Sequence, residues 1–144
     1  STGLRFFTVY GPWGRPDMAY FIFTKNISKN KPIEVFNSGD MIRDFTYVDD
    51  IIAGIKSAII NNYNSEIFNL GNNKTEKITQ MIKIIENKLN IKAKVELKPM
   101  QLGDIKKTYA DVNKAKLMLN YKPSTKFKNG MEIFIDWFCD YYKL

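Results

Sequence analysis

Hydrophobic residues along this chain fall into short apolar runs that alternate with longer stretches of helical periodicity. The short runs are rich in β-branched and aromatic residues and are bounded by Gly, Pro or Asn, a pattern typical of strands. They predict a buried strand at residues 4–9 and further strands at 33–36, 42–47, 67–70 and 95–97. Because a turn of Asn, Ser, Gly and Asp separates 33–36 from 42–47, these two strands are expected to form a hairpin.

The longer stretches place apolar residues three or four positions apart, which predicts amphipathic helices. Helices are expected at about residues 18–29, from Asp49 or Asp50 to 61, from Thr75 to 90, for a short stretch after Asp111, and from 127 to the end. Asp49 or Asp50 is expected to cap the second helix with its carboxylate. Strands that alternate with helices indicate a single α/β or α+β domain across residues 1–144.

The composition is that of a globular protein, with 44% hydrophobic and 26% charged residues in a chain of 144. This length is enough for one domain with a core but not for two ordinary ones. No apolar run approaches the roughly 20 residues of a membrane span, and the first residues lack a signal-peptide pattern. Cys139 is the single cysteine, which excludes an internal disulfide and predicts a packing role in an aromatic helix. We therefore expect a cytoplasmic protein without a membrane partner.

The net charge of +7 comes mainly from one segment, since residues 88–128 hold eleven Lys but only three acidic residues. Such a segment could bind nucleic acid or another polyanion. However, specific readers of nucleic acid usually combine Arg with stacking aromatic residues, and the chain has only three Arg. Solvated lysines are the favoured interpretation, and nucleic acid is not expected as a partner. A non-catalytic module that binds polyanions stays an alternative.

Residues for catalysis are largely missing from the sequence. The chain contains no His, which excludes Ser-His and Cys-His pairs and the common metal sites. It also lacks a glycine-rich dinucleotide fingerprint, and no Tyr is followed four residues later by Lys. No catalytic residue and no metal ligand is therefore assigned.

Two arginines stand out in a chain that uses Lys nineteen times. Arg15 lies just before the first predicted helix, where free backbone N–H groups favour an anion. Arg43 lies in the predicted strand at 42–47. A guanidinium binds phosphate or carboxylate through two parallel hydrogen bonds, so both positions are candidate anion sites. The alternative is that each pairs with a neighbouring acid, Arg15 with Asp17 and Arg43 with Asp44.

Five motifs are specific enough to compare with known families. They are Gly-Leu-Arg-Phe-Phe-Thr-Val-Tyr-Gly-Pro-Trp-Gly-Arg-Pro-Asp-Met-Ala at residues 3–19, Lys-Pro-Ile at 31–33, Arg-Asp-Phe-Thr-Tyr-Val-Asp-Asp-Ile at 43–51, Phe-Asn-Leu-Gly-Asn at 68–72 and Pro-Met-Gln-Leu-Gly-Asp at 99–104. Together they cover essentially the whole chain and resemble the second half of UDP-glucuronate 4-epimerases, which belong to the extended short-chain dehydrogenase/reductases. Many sugar-nucleotide epimerases and dehydratases share the motif at 43–51, whereas the stretch at 14–19 is more specific to the glucuronate branch.

The resemblance implies an α/β fold in which this chain supplies the UDP-sugar-binding part of a Rossmann-like epimerase. The dinucleotide-binding half, with the glycine-rich loop and the catalytic Tyr and Lys, would precede Ser1, and the strands near 4–9 and 67–70 would complete its sheet. NAD would be the cofactor of the complete enzyme. That enzyme would interconvert UDP-glucuronate and UDP-galacturonate by transient oxidation at C4, in the biosynthesis of capsular polysaccharide. The chain alone is expected to be catalytically incomplete.

The same resemblance implies a role for nine substrate-binding residues and one cofactor-binding residue. The sugar and its carboxylate would contact Thr8 and Arg15. The diphosphate would lie near Met18, Ala19 and Arg43, and Val35 and Phe36 would flank the uracil. The ribose end would be held by Gln101 and Asp104, and the nicotinamide of NAD would face Phe6.

Other sugar-nucleotide enzymes remain open as alternatives, namely a UDP-glucose 4-epimerase, a 4,6-dehydratase or a decarboxylase. The expected partners are a UDP-sugar and an N-terminal Rossmann half, if that half is separately encoded. Because strands that lack their sheet neighbours are templates for association, a homo-oligomer is also expected. Leu102, Lys106 and Lys107 give the ribose loop a composition of its own, which leaves the exact sugar open.

Overall fold

The computed structural model describes residues 1–100 and 103–144, so the predicted site residue Gln101 lies outside the described residues. The strands are β1 (Thr2–Phe6), β2 (Thr8–Tyr10), β3 (Pro32–Phe36), β4 (Ile42–Arg43), β5 (Phe45–Tyr47), β6 (Glu66–Leu70), β7 (Glu76–Lys77) and β8 (Lys94–Lys98). The helices are α1 (Ala19–Ser28), α2 (Val48–Asn61), α3 (Ile78–Leu89), α4 (Asn113–Leu119) and α5 (Phe127–Tyr142). Strands and helices alternate along the chain, which confirms the expected α/β class.

The first apolar run changes its partner strand partway along its length. β1 pairs in parallel with β6, whereas β2 pairs in parallel with β5. The change falls at Phe7, whose N–H donates to the carbonyl of Leu70 at 3.2 Å, while the next N–H donates to the carbonyl of Asp44 at 3.1 Å. The expected single buried strand at 4–9 is therefore wrong. The run forms two strands, and Phe6 at the end of the first is half exposed.

The expected hairpin between residues 33–36 and 42–47 is also wrong. β3 pairs in parallel with β8, β4 pairs antiparallel with β7, and β5 joins β2. The run at 42–47 is interrupted at Asp44, whose carboxylate is fully buried and accepts hydrogen bonds from backbone N–H groups of other loops. Because the run is interrupted at this residue, its two halves take different partners.

Two groups of buried side chains hold these elements together. The larger group lies between α1, α3 and α5 and the strands β2, β3 and β5, and Cys139 packs against it as expected. Aromatic rings in this core meet edge to face, as for Tyr20 and Phe134 with centroids 4.8 Å apart. The smaller group packs α2 and α4 on β1 and β6 around Phe68. The larger core thus fixes α1 beside β2, β3 and β5.

The starts of two helices differ from expectation. α2 begins at Val48 without a side-chain cap, so the expected capping by Asp49 or Asp50 is wrong. Asp49 is exposed, and the carboxylate of Asp50 instead accepts the N–H groups of Ser124 and Thr125, both at 3.1 Å. α3 begins three residues later than expected, because β7 precedes it and pairs with β4. None of the helices in the described ranges is long and apolar enough to cross a membrane.

Apolar side chains are exposed on β1, on β6 and at the end of α2. They are Phe6 (50% exposed), Ile67 (51%), Ile59 (71%) and Ile60 (81%). Parallel strands are normally covered on both faces, and within the described residues β1 and β6 pair only with each other.

The homo-oligomer that would cover these two strands stays a prediction. Sedimentation velocity at increasing concentration is expected to reveal dimers, and a monomer at the highest concentration would contradict the prediction.

Candidate functional site

A cavity of about 200 Å³ opens where α1 meets β3, β4 and β5. Its lining combines apolar and aromatic side chains with one arginine and two carboxylates; the residues are Thr8, Met18, Ala19, Tyr20, Phe23, Glu34, Phe36, Met41, Arg43, Phe45, Ile78 and Asp104. Six of the predicted substrate-binding residues are among them, namely Thr8, Met18, Ala19, Phe36, Arg43 and Asp104. Residues distant in sequence are brought together because β2 pairs with β5 and α1 packs on β3.

The first turn of α1 forms one wall of this cavity. Met18 precedes the helix in an extended conformation without a side-chain cap, and Ala19 is the first helical residue. The first N–H groups of a helix have no partner within it, and they carry the positive end of the helix dipole. Both residues line the cavity. The helix start is therefore suited to bind an anion such as phosphate.

Arg43 forms an ion pair with Asp104 at the cavity. Nη2 of the guanidinium donates to Oδ1 of Asp104 at 2.7 Å, while Nη1 donates to the carbonyls of Ile42 at 3.1 Å and Lys106 at 3.3 Å. The side chain of Arg43 is only 17% exposed, so these bonds fix its orientation. The expected alternative, a pair between Arg43 and Asp44, is wrong because the Asp44 carboxylate is buried among other hydrogen-bond donors.

Asp44 holds backbone segments next to the first cavity together, a role that the sequence interpretation missed. Its carboxylate accepts the backbone N–H groups of Asn72, Asn73 and Ala110 at 2.7, 3.1 and 3.0 Å, and the hydroxyl of Thr46 at 3.1 Å. It thereby ties the loop after β6 and the segment before α4 to the junction of β4 and β5. An acidic residue in the middle of a predicted buried strand was the signal that could have indicated this role.

A second cavity of about 440 Å³ adjoins the first and shares Thr8, Met18 and Tyr20 with it. The loop at residues 11–15 borders this cavity, and so does Phe6, the predicted contact of the nicotinamide. The two cavities together form a continuous surface that extends from the end of β3, past the start of α1, to the end of β1.

Arg15 lies at the second cavity rather than the first, and it pairs with Asp17. Its Nε donates to Oδ1 of the carboxylate at 3.1 Å and its Nη2 to Oδ2 at 2.5 Å. This pair lowers the pKa of Asp17, although both side chains are largely exposed. The alternative in which Arg15 pairs with its neighbouring acid is therefore confirmed. Val35, another predicted contact, lines neither cavity because it is 2% exposed and packs into the larger core.

The groups at these cavities favour binding over proton transfer. Tyr20 lines both cavities, and burial raises the pKa of its phenol to about 12, so the phenol stays protonated near neutral pH. Burial also raises the pKa of Tyr10, which lines the second cavity. Within residues 1–100 and 103–144, no group of three or more His, Cys, Asp or Glu is placed to hold a metal ion. Arg43, the start of α1 and the aromatic side chains instead suit a ligand that combines anionic groups with a planar ring.

Comparisons with known proteins agree with this geometry. A model of the NAD dependent epimerase/dehydratase family matches residues 1–71. UDP-glucuronate 4-epimerase 4 of Arabidopsis thaliana is 44% identical, over 98% of this chain and 36% of that protein. The crystal structure of UDP-glucuronic acid 4-epimerase from Bacillus cereus, in complex with UDP-glucuronic acid and NAD, has a TM-score of 0.91 at 35% identity, over 96% of this chain and 45% of that one. UDP-glucose 4-epimerase from Thermotoga maritima, solved with UDP-glucose, has a TM-score of 0.90 at 27% identity, over 98% of this chain and 46% of that one.

The chain belongs to the NAD-dependent epimerase/dehydratase family, and its relatives include UDP-glucuronate 4-epimerases. The chain has the fold of the substrate-binding part of an extended short-chain dehydrogenase/reductase, as the family resemblance implied. The chain spans less than half the length of the curated relatives that it matches.

Proposed function

We propose that this chain is the UDP-sugar-binding part of an NAD-dependent UDP-glucuronate 4-epimerase. The observation that carries the proposal is the adjoining pair of cavities. The first offers Arg43 and the start of α1 to a diphosphate, and the second offers Thr8 and Arg15 to a sugar. The similarity to an epimerase solved with UDP-glucuronic acid and NAD supports this choice of ligand. The UDP-sugar would lie across both cavities.

The diphosphate is assigned to the space between the start of α1 and Arg43. A guanidinium carries several N–H donors, and the described residues engage three of those on Arg43, which leaves donors for phosphate oxygens. Asp104 holds the guanidinium through Oδ1, which also accepts the N–H of Ile105 at 2.8 Å. Its other oxygen is assigned to the ribose hydroxyls, together with Gln101. The uracil is assigned to Phe36, with Val35 behind it in the core.

Phe6 is assigned to the nicotinamide of NAD. Phe6 is half exposed and lines the second cavity beside Thr8, which fits an aromatic wall for a planar ring. NAD, when bound, would accept a hydride from C4 of the sugar and return it. The residues of this chain would hold the sugar against that wall, but they include no glycine-rich loop for the pyrophosphate of the cofactor.

Replacing Arg43 by Leu is expected to weaken the binding of UDP and of UDP-glucuronate by about ten- to a hundred-fold, because a charge-assisted hydrogen bond contributes roughly 1.5–3 kcal/mol. Isothermal titration calorimetry on the chain measures this loss. Arg5→Leu is the matched control, since Arg5 is exposed on β1 and lines neither cavity. Equal losses in the two variants, or a wild-type chain that binds tripolyphosphate as tightly as UDP, would contradict the assigned site.

Replacing Arg15 by Leu is expected to weaken the binding of UDP-glucuronate by about ten-fold and to leave UDP-glucose binding nearly unchanged. The reason is that only the glucuronate carries a carboxylate for the guanidinium. Asp17→Asn is the opposite test, because it releases Arg15 from its ion pair and should strengthen the binding of UDP-glucuronate. The ratio of the dissociation constants for the two sugars checks both variants. Equal losses on both sugars after Arg15→Leu would show that Arg15 serves the shared diphosphate.

Titrations with UDP, UDP-glucuronate, UDP-glucose and tripolyphosphate also test two alternative functions. The similarity to UDP-glucose 4-epimerase makes a neutral sugar the second candidate, and tighter binding of UDP-glucose than of UDP-glucuronate would favour it. A basic module for polyanions has less support, because many lysines of the basic segment pair with acidic side chains. The paired lysines are Lys88, Lys92, Lys98, Lys106, Lys114 and Lys128.

A further inference from the structure

The chain has two tryptophans, and they contact each other at its surface. Trp13, in the loop at residues 11–15, and Trp137, in α5, have ring centroids 5.3 Å apart. Tyr141 completes this aromatic cluster, since its ring centroid lies 5.1 Å from that of Trp13 and 5.4 Å from that of Trp137. The loop that borders the second cavity is thus attached to a helix that lines neither cavity.

The backbone of Trp13 requires a restraint. Its φ is 62°, in the left-handed region that residues other than glycine rarely adopt. The residue is nevertheless 74% exposed, so burial in the core is not what holds it in this conformation. The hydrogen bond from Gly14 to Gly11 closes a turn across this backbone, and the two ring contacts on α5 hold the side chain.

The loop is also held from its inner side. Gly14 packs so closely on Tyr20 that an added Cβ would overlap the phenol oxygen, and its N–H donates to the carbonyl of Gly11 at 3.2 Å. Arg15 follows directly, and its carbonyl accepts the N–H of Met18 at 3.2 Å, next to the start of α1. The loop is therefore held by Tyr20 on its inner side and by α5 through Trp13, two residues before Arg15.

We propose that Trp13, docked on Trp137 and Tyr141, is a positioning residue that holds the loop at residues 11–15, and with it Arg15, in place for the sugar part of the ligand. The identity of the ligand rests on the proposed function, whereas the attachment of the loop is a property of the free chain. Release of the loop should lower the preference for UDP-glucuronate over UDP-glucose. The affinity for UDP, which is assigned to the first cavity, should stay the same.

Two adjacent tyrosines provide the test variant and its control. Tyr141→Ala removes a ring that contacts Trp13. Tyr142→Ala removes a ring of similar exposure that packs on Phe138, Phe21 and Tyr141, with centroids 4.6, 6.2 and 5.0 Å away, but on neither tryptophan within the described residues. Hydrogen exchange of residues 11–18 in the free chain is expected to be faster in Tyr141→Ala and unchanged in Tyr142→Ala and in Tyr141→Phe. The circular dichroism signal of the two indole rings is a second readout of the contact between Trp13 and Trp137, because the chain has no other tryptophan.

Calorimetry then tests what the attachment does for the ligand. In Tyr141→Ala the preference for UDP-glucuronate over UDP-glucose is expected to fall by about two- to ten-fold, the size of one aromatic pair, with unchanged affinity for UDP. Unchanged exchange in Tyr141→Ala, or faster exchange with an unchanged preference, would overturn the proposal. A wild-type chain that binds no uridine nucleotide, but whose variants show the expected exchange pattern, would reject the proposed function while supporting the attachment of the loop.

Discussion

Replacing Asp44 by Ala is expected to lower the free energy of unfolding by about 3–5 kcal/mol. The carboxylate accepts the N–H groups of Asn72, Asn73 and Ala110 and the hydroxyl of Thr46. After the substitution these donors lose their acceptor, and each buried group left unsatisfied costs roughly 1–3 kcal/mol. A domain typically has only about 5–15 kcal/mol of stability, so the variant is expected to be close to unfolding at ordinary temperatures.

The same substitution is expected to disturb ligand binding, because the donors to Asp44 lie in segments that lead to the first cavity. The N–H of Ala110, six residues after the Asp104 partner of Arg43, donates to the carboxylate of Asp44 at 3.0 Å. Loss of the carboxylate therefore loosens the wall that carries Asp104.

Chemical denaturation followed by circular dichroism measures the stability of the variant. Asp44→Asn is expected to lie between Asp44→Ala and the wild type, because the amide retains one acceptor oxygen but turns an N–H group toward another donor. Asp49→Asn is the matched control, since Asp49 belongs to the same motif but is exposed. It should change the stability by at most about 1 kcal/mol through the helix dipole. A similarly small effect for Asp44→Ala would show that water replaces the carboxylate without cost.

The sequence predicted where most helices and strands lie, because hydrophobic periodicity is a local property of the chain. It failed on which strands pair, since pairing depends on contacts between distant segments. Phe7 lies inside a stretch whose pattern predicts one strand, yet the partner strand changes there from β6 to β5. The turn after β3 has the sequence of a hairpin turn. However, the buried carboxylate of Asp44 accepts N–H groups from distant segments, and the strand run at 42–47 is interrupted there.

The candidate site was predictable only in part from local features. The positions of Arg15 and Arg43 stand out by residue type, but the partner of Arg43 is Asp104, 61 residues away. The family resemblance implied ligand contacts for Thr8 and Phe36, and both residues line the first cavity. No local pattern in the sequence relates these two positions. Val35 and Phe36 were both predicted to contact the ligand, but side chains alternate in direction along a strand. Phe36 therefore lines the first cavity, while Val35 is buried in the core.

We predict that this chain alone neither epimerises a sugar nor binds NAD with useful affinity. Only the aromatic wall at Phe6 is assigned to the cofactor, and the loop that would cradle the pyrophosphate is not encoded in the sequence. Removal of the proton from the sugar 4-hydroxyl needs a base near neutral pH. Burial raises the pKa of the Tyr20 phenol to about 12, so this phenol stays protonated near neutral pH and cannot serve as the base.

The test mixes the purified chain with NAD and UDP-glucuronate and follows the formation of UDP-galacturonate. No product is expected from the chain alone, and residual binding of UDP should be weak, because closure of a second half normally excludes water from the diphosphate. Adding the NAD-binding half of a related epimerase as a separate polypeptide should restore turnover, and Arg43→Leu in that mixture should reduce it. Measurable turnover by the chain without any added partner would overturn the prediction. It would mean that residues 1–144 contain a complete site for NAD.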